Sequence, residues 1–167
     1  MKIFPSDKIE ITTSLSLEEV RTILTNNIRQ KTGVIFGSNN SKNTKLFEGS
    51  FEQDRFEIQR VITGRNSFLP QIKGHIRPSM NGTKLIADLT IHKFVIGFMV
   101  VWFSLVTISL IFGSTSLQTN PIFLLVPLIM IAFGIVLVKF GYNIQKNKSI
   151  SDLKMILNGK LIHKNSI

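Results

Sequence analysis

The chain has 167 residues, with 20 Lys+Arg against 10 Asp+Glu for a formal charge of +10, and it contains no cysteine. That length holds one modest domain and an accessory element rather than two full domains, and the missing thiols exclude a disulfide framework, a thiolate nucleophile and a cysteine-ligated metal. A positive mean hydropathy of +0.24 in so basic a chain requires charge and apolar residues to be segregated along it.

The opening stretch MKIFPSDKIEITTS soon turns polar and acidic. It has no apolar run of signal-peptide length, so no cleaved leader is expected. Residues 8–14 alternate as a first strand. Ser16 then reads as an N-cap, with Glu19 completing a capping box and Leu15 and Val20 placed as a hydrophobic staple. The helix so started is predicted to run to about Arg29, with Leu17, Val20, Leu24 and Ile28 along one face.

The sheet that this face requires is predicted between about Val34 and His92. GVIFG is a short apolar strand; LFEGSFE and RFEIQRVI are joined at Gln53-Asp54; a GRNS loop leads into FLPQIKGHIRP; and Asn81-Gly82, a favoured type I′ pair, turns the chain into TKLIADLTIH. Counting outward from Gln53-Asp54 pairs Phe51 with Phe56, Gly49 with Ile58 and Phe47 with Arg60. Counting from Asn81-Gly82 pairs Ile76 with Ala87, Gly74 with Leu89 and Ile72 with Ile91 on an apolar face. On the charged face the same count sets Arg77 opposite Ile86, His75 opposite Asp88 and Lys73 opposite Thr90. A one-residue slip would invert every pair, so the agreement specifies the face of each side chain.

Two features of this sheet bear on chemistry. His75 opposite Asp88 is the one pair that resembles an acid/base unit, but it lacks a nucleophile or metal ligand, and an ordinary cross-strand charge pair on a solvated face is the favoured reading. Arg60 falls on the apolar face, where Gly49 and Gly74 leave little side-chain volume. An arginine there could clamp the anionic head of an apolar ligand; alternatively a β-bulge at Arg60-Val61 turns it outward, and Phe56 fills the glycine gap. Arg60, Gly49 and Gly74 are therefore the candidate ligand-binding residues. The histidines His75, His92 and His163 have no metal-site spacing, so no metal, cofactor or catalytic residue is predicted.

From Phe94 to Val138 there is a charge-free run of about 45 residues, more than twice what one membrane crossing needs. GSTSLQTNP breaks it, which gives a helical hairpin with spans 94–112 and 122–138. Phe94, Phe98 and Trp102 form a stripe suited to packing on the second span, to lipid, or to a homo-oligomer contact, and Pro127 is expected to kink the second helix. His92 and Lys93 flank the first span and Lys139 the second, while the intervening loop is uncharged. The positive-inside rule then puts both termini in the cytoplasm and makes this a two-pass protein of the inner (plasma) membrane. The spans carry no ionisable residue, which argues against a pump or carrier.

The tail SISDLKMILNGKLIHK sets Leu153, Ile156, Leu157 and Leu161 on one side and is predicted as an amphipathic helix capped by Ser151, lying either on the sheet or on the bilayer. Docked on the sheet, it would give an order that resembles the helix-grip ligand-binding architecture with a membrane hairpin inserted before the final helix. The expected fold class is α+β, an antiparallel sheet with a covering helix, then a transmembrane hairpin and a C-terminal amphipathic helix. The expected division is a cytoplasmic domain at 1–93, the hairpin at 94–138 and a basic cytoplasmic tail at 139–167. Domain and tail each carry a net charge of +5, which suits anionic lipid headgroups; without a nucleic-acid-binding motif or stacking platform, nucleic acid is not an expected partner.

The stretch RNSFLPQIKGHI, with LFEGSF and FEIQRVI before it and NGTKLIADLTIHKFVIGFM after it, resembles a family of small bacterial two-span membrane proteins. The likeness covers about residues 45–102 and rests on Arg65, Asn66, Ser67, Phe68, Leu69, Pro70 and Gly74. It implies a membrane location and no activity. The functional expectation is a membrane-anchored, non-catalytic cytoplasmic module that either holds an apolar or lipid-like ligand or serves as an interaction or scaffold subunit of a larger membrane complex.

Overall fold

The computed structural model describes residues 5–30, 45–62, 66–115 and 122–166. The fold is α+β. In chain order the elements are β1 (Ser6–Thr13), α1 (Leu17–Asn27), β2 (Ile28–Gln30), β3 (Phe47–Glu52), β4 (Arg55–Arg60), β5 (Gln71–Ser79), β6 (Gly82–Thr90), α2 (Lys93–Thr115), α3 (Ile122–Leu157) and β7 (Lys160–Ser166). The strands form one sheet in the order β2-β3-β4-β5-β6-β1-β7.

Local chemistry accounts for the first half. Ser16 caps α1 as a full capping box: its Oγ accepts from the Glu19 N–H, and the Glu19 carboxylate accepts from the Ser16 N–H at 2.8 Å. The helix stops at Asn27 rather than Arg29, because Ile28 is extended (φ −101, ψ 123) and begins β2. β2 runs parallel to β3, so the sheet is mixed and not purely antiparallel as expected. The predicted GVIFG strand lies outside the described residues.

The β3–β4 hairpin has the counted register, with Phe47 opposite Arg60, Gly49 opposite Ile58 and Phe51 opposite Phe56. Its loop residues Gln53 and Asp54 both adopt positive φ (47 and 65), as a two-residue type I′ turn requires. The β5–β6 hairpin differs from the count by two residues. Ser79 pairs with Gly82, Ile76 with Leu85, Gly74 with Ala87 and Ile72 with Leu89, so the loop is Met80-Asn81. Gly82, at φ +123, is the first residue of β6 and lies so close to β1 that a Cβ would stand 2.2 Å from the Thr13 carbonyl oxygen. A slide of two residues leaves each side chain on its face but changes its partner. Asp88 stands opposite Lys73 and Lys8, and His75 opposite Ile86 and Arg55, so the His75–Asp88 pair does not form.

One face of the sheet is apolar. Ile9, Ile11, Phe47, Phe56, Ile58, Ile72, Leu85 and Leu89 pack there in one cluster with Val20 and Leu24 of α1 and with Ile150, Leu153 and Leu157 of α3. The other face carries ion pairs such as Lys73–Glu57 at 2.7 Å and Lys84–Glu10. A second, smaller cluster of Ile91, Val95, Met99, Val138 and Tyr142 joins the bases of α2 and α3, with Phe68 packed against it.

The tail departs most from expectation. α3 runs unbroken for 36 residues through Pro127, from Ile122 to Leu157, so Ser151 is a mid-helix residue and not a cap. It ends in a Schellman arrangement: Asn158 adopts φ 45, its N–H reaches the Met155 carbonyl, and the Gly159 N–H reaches the Lys154 carbonyl at 3.0 Å. Asn-Gly thus terminates the helix. Leu161 belongs to β7, which pairs antiparallel with β1.

Candidate functional site

The apolar phase of α3 is set by Val138, Tyr142, Ile150, Leu153 and Leu157, all buried. Gln145, Lys146, Ser149 and Asp152 fall on or beside the same helical face. The sheet therefore meets a polar seam in the stretch where α3 leaves its apolar half. On one side of this seam, Lys146 Nζ donates to Asp7 Oδ2 at 2.9 Å, with side chains only 8% and 2% exposed. The Tyr142 hydroxyl donates to the Leu89 carbonyl at 2.9 Å, and the Lys146 ammonium stands 5.3 Å from the centre of the Tyr142 ring. On the other side, Arg60 Nε donates to Asp152, so the guanidinium reaches from the end of β4 to α3. Between these pairs, Gln145 Oε1 and Ser149 Oγ are buried with no hydrogen-bond partner among the described groups.

Charges removed from water to this extent hold together only as pairs. The arrangement ties α3 to β1 through Asp7 and to β4 through Arg60. Farther along, the Thr13 hydroxyl donates to the Leu157 carbonyl at 2.7 Å, a further tie at the far end of β1. The RNSFLP motif adds another contact at the base. The Asn66 side chain accepts from the Phe68 N–H at 3.0 Å, forming an Asx turn, and Phe68 lies so close to α3 that a Cβ on Gly141 would stand 2.8 Å from its ring. Chemically the seam is a set of paired charges and buried dipoles that fixes a helix. Among the described residues no cluster of three His, Asp or Glu side chains is placed to hold a metal.

The residues singled out from sequence are not gathered into one site. Arg60 is on the helix-bearing side, engaged by Asp152. Gly74 allows close approach: a Cβ would meet the Ile86 carbonyl at 2.3 Å and the Phe56 ring at 2.6 Å. Gly49, at φ +149, lines an open depression of about 310 Å³ with Glu48, Ser50, Phe51 and Glu57, to which neither Arg60 nor Gly74 contributes. His92 caps α2: its Nδ1 accepts from the Phe94 N–H at 3.1 Å and its carbonyl from the Val95 N–H at 2.9 Å. Lys93 opens α2 and is exposed, and Lys139 is half-buried on α3. Sequence reasoning missed Asp7, Tyr142 and Lys146. The available signal was that Lys146 lies four residues after Tyr142 and seven before Leu153, in phase with the apolar stripe. Comparison of the chain with protein-family models, with characterised proteins and with solved structures returned no match.

Proposed function

We propose that this protein is a bilayer-anchored, non-catalytic interaction module, a scaffold subunit of a membrane complex whose cytoplasmic sheet is held rigidly against the inner (plasma) membrane. The observation that carries this reading is α3. One helix of 36 residues, about 54 Å at 1.5 Å per residue, serves both as the second arm of an apolar hairpin and as the helix that covers β1 and β6. Two helices are long and apolar enough to cross a membrane, and only 17% of the apolar stretch of α2 and 22% of that of α3 is buried. A core helix of a soluble protein would be mostly covered. The lysine-rich flanks and uncharged connecting loop favour a topology with both termini in the cytoplasm, and the resemblance of the Arg65–Gly74 stretch to small two-span bacterial proteins supports a membrane location.

Of the two roles left open by sequence, the scaffold is favoured. The Arg60 guanidinium is already engaged by Asp152, and Phe56 occupies the space above Gly74, so the ligand clamp lacks both its free cation and its hollow. Native mass spectrometry after extraction in mild detergent tests the choice. The expected result is a defined assembly, either with a membrane-protein partner or with further copies of the chain. A lone chain carrying a small hydrophobic molecule would instead establish the ligand-binding role.

A further inference from the structure

The exposed apolar surface of α3 does not stop where its charge-free run stops. Phe133 is 65% exposed, Val136 63%, Phe140 67% and Ile144 39%, and these positions fall on one side of the helix, opposite Tyr142 and Leu153. Polar, exposed Asn147 and Ser151 follow on the same side, and the next exposed apolar residue there is Met155, eleven positions past Ile144 and apart from the continuous belt. Lengths agree with a boundary at Ile144. α2 has 23 residues, about 34 Å, and the same length counted along α3 from Ile122 ends at Ile144. The antiparallel partner of this level is the start of α2, where Phe94 is 76% exposed and where Val95 packs with Val138 and Tyr142. The loop carrying Ser67 and Phe68 meets α3 at Gly141, inside this belt.

We infer that the lipid-contacting surface continues past Lys139 onto Phe140 and Ile144, and that the Asn66–Pro70 loop lies in the headgroup layer, so the base of the sheet domain is immersed in the interface instead of standing off it. Continuity with the hairpin's belt identifies the occupant as lipid: a protein partner would not require the belt to end at one level on both helices. Lys139, half-buried on the inner side of α3, can extend its ammonium outward to the phosphates while its stem stays among apolar groups. The inference rests on the hairpin being in a bilayer.

The absence of cysteine makes spin labelling direct. Single-cysteine variants Phe133→Cys, Ile144→Cys, Ser151→Cys and Ser67→Cys are labelled in the full chain, reconstituted in phosphatidylethanolamine–phosphatidylglycerol vesicles, and read for collision with oxygen and with a water-soluble nickel chelate. Oxygen-dominated collision at Phe133 and Ile144, chelate-dominated collision at Ser151, and an intermediate ratio at Ser67 are expected. If Ile144 and Ser67 match Ser151 while Phe133 remains oxygen-dominated, the extended contact is overturned and the hairpin stands. If Phe133 is also chelate-dominated, both fall.

Discussion

Replacing one member of the Asp7–Lys146 pair probes whether α3 is truly welded to the sheet. Both side chains are almost fully covered, 2% and 8% exposed. Asp7→Asn therefore leaves the Lys146 ammonium buried without the charge that balances it, and Lys146→Met removes the cation beside the carboxylate. Breaking a buried pair in this way costs about 3–5 kcal/mol, whereas the double variant Asp7→Leu/Lys146→Met, which removes both charges together, should recover most of the loss. For a chain of this size each kcal/mol moves the melting temperature by about 2–4 °C, so each single variant should melt roughly 6–20 °C lower. Circular dichroism in mild detergent gives the melting temperatures, and amide hydrogen exchange of β1 localises the effect. If the single variants melt within about 2 °C of wild type, or if the double variant shows the sum of two losses, the seam does not hold the helix and the argument from rigidity fails.

Three further outcomes follow from particular contacts. Arg60→Leu should lower stability by about 1–3 kcal/mol because Asp152, 16% exposed, loses its cation, and Arg60→Leu/Asp152→Leu should restore most of it in the same melting assay. Gly74→Ala should cost about 1–3 kcal/mol, since the added methyl meets the Ile86 carbonyl at 2.3 Å; trimming Phe56 to Leu should relieve only the side-chain part of that clash. The Asp54 carboxyl is held below its ordinary value chiefly by the hydrogen bond from Arg21, and Glu19 below its own by the Ser16 backbone N–H. A carboxyl lowered in the folded state contributes stability that is present above its unfolded pKa near 4 and is lost as pH falls through the folded value, so Asp54→Asn should flatten the decline of melting temperature on acidification.

How much of this was legible depended on whether a local signal could decide the question. Gln53-Asp54 and the alternation around it set the β3–β4 register, and Ser16 with Glu19 marked the start of α1, because turn and cap chemistry act over a few residues. The β5–β6 register was not decided in the same way. Alternation has period two, so a slide of two residues preserves the apolar face that the count relied on; what selects Met80-Asn81 as the loop is the close approach of Gly82 to Thr13, a contact across strands distant in sequence. In the tail, the apolar spacing places Leu153, Ile156 and Leu157 on one helical side, but it continues to Leu161 across Asn158-Gly159, the stop beyond which β7 begins. Lys146 enters the sequence reading only within the charge of the tail, since a lysine a few residues past an apolar run looks the same in sequence whether its ammonium meets headgroups or a buried aspartate. Arg60 was placed on the helix-bearing face, but its partner lies 92 positions away in sequence.

The position of the hairpin in the chain couples the two apolar helices to the sheet. β1 pairs with β6 on one side and with β7 on the other, and the two apolar helices separate β6 from β7 in sequence. β1 therefore gains its second neighbour only after the chain has passed through both helices and returned. Until then Ile9 and Ile11 lack the cover of Ile150, Leu153 and Leu157, and Asp7 lacks Lys146. Cooperative folding requires such mutually supporting contacts, and here they join groups on opposite sides of the hairpin. The sheet is thus completed by a strand that follows the two apolar helices, and α3 is tied to β1 through Asp7 and to β4 through Arg60.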